Sequence, residues 1–65
     1  MNIKINGQLI DTQGEKSLIT LVKQFGATAP FALAVNGQFV PKSQHDKYLV
    51  DEGDLIDVLS PVQGG

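Results

Sequence analysis

The sequence predicts an α+β domain, one main helix packed across one face of a mixed sheet of four to five strands. Three observations carry that expectation. Two Asn-Gly pairs, Asn6-Gly7 and Asn36-Gly37, each sit between short β-like runs. One stretch, Ser17 to about Phe25, has apolar residues at helical spacing, and a final run, Leu55 to Ser60, alternates again. A chain of 65 residues makes one domain, and a domain of that size buries only about 60% of the surface its unfolded chain exposes. A single helix over one face of a sheet buries three apolar stripes economically.

The first hairpin begins at once. Ile3 and Ile5 alternate with Asn2, Lys4 and Asn6, and a second β-like stretch runs from Gln8 to Thr12. Asn-Gly between such runs signals a type I′ turn, which needs positive φ at both central residues. A two-residue loop pairs Ile5 with Gln8 and Ile3 with Ile10. Ile3, Ile5 and Ile10 then share the core face, with Lys4 and Leu9 on the other.

In "EKSLITLVKQFG" the residues Leu18, Leu21, Val22 and Phe25 fall at i, i+3, i+4 and i+7, a helical stripe. Ser17 is placed as N-cap and Gly26 as the terminating residue. The capping box is incomplete, because Thr20 occupies its third position. Ile19 lies off the stripe.

"FALAVNGQFV" repeats the hairpin pattern. Its register pairs Val35 with Gln38 and Leu33 with Val40, which puts Leu33, Val35 and Val40 on the core face and Ala34 and Phe39 on the other. Pro41 stops the strand because it cannot donate to a ladder. "KSQHDKYLV" reads as a short helical turn followed by an extended piece, and "DEGD" turns the chain into "LIDVLS". There Ile56 and Val58 face the core, while Leu55, Asp57 and Leu59 face away. The outward residues Leu9, Phe39, Leu55 and Leu59 form a candidate partner surface, Phe39 and Leu59 foremost.

Composition narrows the function. Hydrophobic residues are 42% of the chain and charged residues 18%, which suits a folded protein. The net charge is −2 and the five lysines are scattered, so no basic face for nucleic acid is visible. Without cysteine, thiol nucleophiles and zinc-thiolate sites are excluded. The start lacks the apolar core of a signal peptide and no run approaches a membrane span, so the expected location, by default, is the cytoplasm.

Other candidate sites are weak. His45 is the one histidine, beside Asp46 and Lys47, and reads as a solvated loop residue. Asp51, Glu52, Asp54 and Asp57 lack the spaced ligands of a calcium loop, and read as a turn and strand edge facing water. Ser60 has no evident base partner. No metal site is expected.

The sequence ends "PVQGG": Pro61, Val62, Gln63, Gly64 and Gly65. Two glycines contribute little to a fold, so residues 1–60 are expected to form the domain and 61–65 a flexible tail. From Ser60 the tail can extend about 17 Å, and Pro61 limits slack at its base.

The ordered combination of "MNIKINGQ", "LAVNGQFVPKSQ" and "DEGDLIDVLSPVQGG" resembles the ubiquitin-like β-grasp sulfur carriers, most closely the ThiS family of thiamine biosynthesis. The block Ala34-Val35-Asn36-Gly37-Gln38-Phe39-Val40-Pro41-Lys42 and the Gly53-Asp54 turn match that family's pattern. The aromatic residue often found shortly after the block is replaced by His45 and the more distant Tyr48. The Pro61-Val62 ending is also similar to the molybdopterin-synthase small subunit, MoaD, which is usually longer.

The resemblance implies a carrier, not an enzyme, with no bound cofactor. A free α-carboxyl titrates near pH 3.3–3.7, roughly, so Gly65 is ionised at neutral pH. A ThiF-like adenylating enzyme using ATP would convert it to a glycyl adenylate. A desulfurase-derived persulfide would then supply sulfur, leaving a thiocarboxylate (1-thioglycine) at Gly65 for a ThiG-like thiazole synthase. Two alternatives share the ending: a MoaD-like carrier, and a ubiquitin-like modifier with Gly65 amide-linked to lysines. A non-covalent β-grasp interaction module is a third.

Overall fold

Both Asn-Gly pairs close two-residue hairpins. In the computed structural model, which describes residues 1–60, β1 (Asn2–Ile5) pairs antiparallel with β2 (Gln8–Asp11), Ile5 opposite Gln8 and Ile3 opposite Ile10. β3 (Ala32–Val35) and β4 (Gln38–Val40) repeat the arrangement, Val35 opposite Gln38 and Leu33 opposite Val40. φ is 52° at Asn6 and Asn36 and 82° at Gly7 and Gly37. These are type I′ turns, whose twist matches that of the flanking strands. Asparagine enters the left-handed region at little cost, and so the dipeptide alone sets each register.

The last strand, β5 (Leu55–Leu59), lies in the middle of the sheet. The order is β2-β1-β5-β3-β4, with β5 parallel to β1 and antiparallel to β3. Across the inner face runs α1 (Leu18–Phe25). Ser17 caps it, its hydroxyl oxygen accepting from the Thr20 N–H at 3.4 Å. At the other end Gly26 turns left-handed, with φ 114°. Gly26 N–H bonds to Lys23 C=O and Ala27 N–H to Val22 C=O, the paired bonds of a Schellman motif.

Leu18, Leu21 and Val22 bury the helical stripe against Ile3, Ile5, Leu33, Val35, Val40 and Ile56 from the sheet. Phe25, at the end of the stripe, is partly buried, as is Ile19 beside it. Two details differ from the sequence expectation. Val58 faces inward but stays half-buried, one position before the end of β5. The eight-residue helix is only about 12 Å long, too short to cover every inward position of the sheet. The first hairpin's second strand also ends at Asp11, not Thr12; Thr12 is buried and its N–H bonds to Met1 C=O.

The segment from Lys42 to Val50 is the part that periodicity left open. A 3₁₀ turn spans Lys42–Gln44, and the chain then runs back beside the start of α1. Leu18 N–H bonds to Tyr48 C=O and Val50 N–H to Lys16 C=O. Val50 is thereby carried into the core, at 1% exposure.

Leu21 is central to this packing. Leu21→Ala is expected to cost about 2–5 kcal/mol in urea denaturation, a large part of the roughly 5–15 kcal/mol that holds a small domain folded. A loss below about 1 kcal/mol would mean that the stripe is not the core's main contact.

Candidate functional site

The strand that leads to the expected tail is held on both sides. Toward β3 the Cα pairs run from Val35–Ile56 to Ala32–Leu59. Toward β1 the ladder covers Lys4–Leu55 and Ile5–Ile56, and there the chain turns away at Asn6. The Asn6 side chain takes over. Its Oδ1 accepts from Val58 N–H at 2.8 Å, and its Nδ2 donates to Val58 C=O at 3.4 Å. A carboxamide has the same donor and acceptor as a peptide unit, so the side chain extends the ladder toward the end of β5.

Asn36 does the same at the start of the strand. Its Oδ1 accepts from Leu55 N–H at 3.0 Å, and its Nδ2 donates to Asp54 Oδ1 at 2.9 Å. The two turn asparagines therefore grip opposite ends of β5. The residues named for the tail, Pro61, Val62, Gln63, Gly64 and Gly65, lie outside the described residues.

The outer face of the sheet carries the four apolar residues named from the sequence. Leu9, Phe39, Leu55 and Leu59 are 64%, 68%, 53% and 61% exposed. They do not form one patch. Lys4 stands between Leu9 and Leu55 in the same cross-strand row. Phe39 is opposite Ala34 and Leu59 opposite Ala32, so these two large side chains border a floor of small ones on β3. With strands about 4.8 Å apart, that floor is a shallow trough about 10 Å across, apolar but for Asp57, which faces Ala34 from β5. Leu49, also exposed, lies outside the sheet and was not singled out by the sequence pattern.

His45 is not the solvated loop residue its sequence neighbours suggest. It is 7% exposed, its Nε2 donates to Val40 C=O at 3.0 Å, and its ring stacks on Phe31 with centroids 5.9 Å apart at 9°. A carbonyl only accepts, which puts the proton on Nε2. Sequence offered no sign of this, because the partners come from β4 and the residue just before β3. The acids behave as expected of a turn. Asp54 Oδ2 accepts from Asp51 N–H at 2.8 Å and Glu52 Oε2 from Asn2 N–H at 3.1 Å. Among the described residues no cluster of three metal-ligating side chains occurs, and no helix is long and apolar enough to cross a membrane.

A mixed five-stranded sheet with one helix on one face, the last strand central, is the ubiquitin-like β-grasp class. The family follows from comparison. The ThiS family model matches residues 3–65, and the chain belongs to that family. It is 32% identical over 66 residues to the sulfur carrier protein ThiS of Escherichia coli K12, with all of both chains covered. The crystal structure of the thiamine biosynthesis protein ThiS from Geobacter metallireducens matches with a TM-score of 0.79 at 22% identity, over the whole of both chains. The solution structure of a thiamine biosynthesis protein from the same organism matches with a TM-score of 0.78 at 22% identity, covering all of this chain and 88% of that one. At that identity the two structures speak to the fold.

The Asn6 grip on Val58 is open to direct measurement. Asn6→Gly keeps the turn, since glycine takes positive φ freely, but removes the side-chain amide. Hydrogen exchange at Val58 N–H is expected to speed up about fivefold to tenfold, the equivalent of roughly 1–1.5 kcal/mol for a hydrogen bond. Protection at Leu33 and Ile5 should change far less. Equal acceleration at all three amides would show a general loss of stability instead.

Proposed function

We propose that this chain is a sulfur carrier of thiamine biosynthesis whose working group is the carboxylate of Gly65. The observation that carries the reading is membership of the ThiS family, with the match running through Gly64 and Gly65. The named relative in Escherichia coli, a sulfur carrier, supports it over its full length. The absence of cysteine agrees, because no side-chain thiol is available to store sulfur.

In this reading the carboxylate attacks the α-phosphate of ATP on a separate ThiF-like adenylating enzyme, and pyrophosphate leaves. The terminal sulfur of a persulfide, supplied by a desulfurase system, attacks the acyl carbon, and AMP leaves. A thiol then cleaves the sulfur–sulfur bond, forming a disulfide, and a thiocarboxylate remains at Gly65. A ThiG-like thiazole synthase takes that sulfur. This chain contributes no catalytic group. Its part is to offer a thin terminus and a docking surface, for which the Phe39–Leu59 trough on the outer face is the proposed contact.

Intact mass after incubation with the adenylating enzyme, ATP and a sulfur source tests the chemistry through exchange of oxygen for sulfur at the terminus. One alanine appended after Gly65 moves the carboxylate by up to about 3.6 Å. A misplacement of 1 Å can cost roughly 100-fold in a positioned reaction. The extended protein is expected to melt like wild type and to lose ATP-dependent pyrophosphate release almost completely. Full activity in that variant would sink the carrier reading.

The trough has its own test. Phe39→Asp is expected to weaken the complex with the adenylating enzyme at least tenfold, since a charge replaces a large apolar contact. Its thermal melt should stay close to wild type, because Phe39 is exposed. Unchanged affinity would move the contact elsewhere.

A further inference from the structure

A cleft on the other side of the sheet is used neither by the core nor by the carrier chemistry. It opens between α1, the loop entering β3 and the 3₁₀ turn, and encloses about 280 Å³. Ile19, Pro30 and Phe31 give it apolar walls, and Lys23 and Lys42 stand on it from two different elements.

Its place follows from strand register. Leu59, the last residue of β5, pairs with Ala32, the first residue of β3, and Phe31 immediately precedes that strand. The cleft therefore adjoins the point where the chain leaves the sheet on its way to Gly65. A protein that handles residues 61–65 has to come close to it.

The cleft is also preformed. Phe31 is stacked on His45, and His45 is buried and tied to Val40 C=O at 3.0 Å. A wall held in this way loses little freedom when something packs on it, which lowers the cost of binding.

The charges give it a preference. Both lysines are exposed, and among the described residues neither is within ion-pair distance of a carboxylate, Asp46 on the same rim included. They are two of the five cations in a chain of net charge −2. Asp51, Glu52 and Asp54 gather instead just before Leu55, at the far end of β5. The cleft rim thus carries two lysines against one carboxylate, Asp46, where the chain leaves the sheet, whereas the three acids gather at the start of β5.

Building on the carrier reading, we propose that this cleft receives an acidic segment of the adenylating enzyme that takes the tail. A carboxylate of that segment lies between the lysine ammonium groups, and a neighbouring apolar side chain packs on Phe31. Exposed charges of this kind act mainly on encounter and orientation, and their effect is screened by salt. The contact would set how often the tail is presented correctly, leaving the rate of the chemical step alone.

The experiment is pyrophosphate release by the adenylating enzyme, with the carrier as varied substrate, at low and moderate salt. For K23E/K42E the KM is expected to rise about tenfold at low salt with kcat unchanged, and its salt dependence to flatten. K23Q/K42Q should fall in between, and it serves as the measured variant if the reversed one melts early. K16E/K47E makes the same change in net charge at residues that do not line the cleft and should raise KM far less than K23E/K42E does. An unchanged KM in the cleft variants, an equal rise in K16E/K47E, or a fall in kcat alone would each overturn the proposal. Wild-type carrier that releases no pyrophosphate would overturn the carrier reading itself, and this inference with it.

Discussion

The structure depends on β5 being threaded between two hairpins that share no strand pairing with each other. β1–β2 and β3–β4 are each self-contained ladders, and the last strand alone joins them. Pairing of Lys4 with Leu55 and of Ile5 with Ile56 spans most of the chain. Until β5 arrives there is no continuous inner face for α1 to cover. Loop closure over such separations is unfavourable until the contacts form, so the domain gains its sheet and most of its core together. The same strand leads toward residues 61–65, the tail proposed to carry the function. Backbone ladders and two asparagine side chains hold it, which fixes the strand as far as Leu59.

One helix can cover only one face of a sheet. Period-two alternation sends Ile3, Ile5, Leu33, Val35 and Ile56 to the covered side, and leaves Leu9, Phe39, Leu55 and Leu59 in water. A single exposed leucine needs no explanation. Phe39 and Leu59 bordering an alanine floor are different, because small residues between large ones create shape as well as apolar area. The open face and the cleft lie on opposite sides of the sheet and both adjoin the end of β5. A partner gripping the tail could therefore embrace its root from two directions, with apolar contact on one side and charge on the other.

The stretch from Lys42 to Val50 acts as a second layer beside the helix. It supplies Val50 to the core and His45 as a backing for Phe31. The Tyr48 carbonyl also satisfies the Leu18 N–H, one of the donors that a helix start leaves without an intrahelical partner. A segment without regular periodicity thus ties the helix start to the sheet, and shapes the cleft in doing so.

Local chemistry determined much of this protein from sequence alone. Asn6-Gly7 and Asn36-Gly37 specify their turns and so each strand register, because positive φ at two successive positions admits few residues. Ser17 and Gly26 mark the ends of α1, and the ending at Gly65 pointed to the family. Tertiary structure decided the rest. Strand order is not encoded in alternation, since β5 could have paired at an edge with the same inward residues. The second use of Asn6 and Asn36, as side-chain rungs for β5, appears only once that strand lies beside them. His45 looked solvated because its neighbours Asp46 and Lys47 are charged, yet Val40 and Phe31 enclose it. Val58, expected in the core, is half-buried, and Val50, on which the pattern gave no expectation, is fully buried; a residue's exposure is set by what the rest of the chain lays over it, and an eight-residue helix covers only part of the sheet.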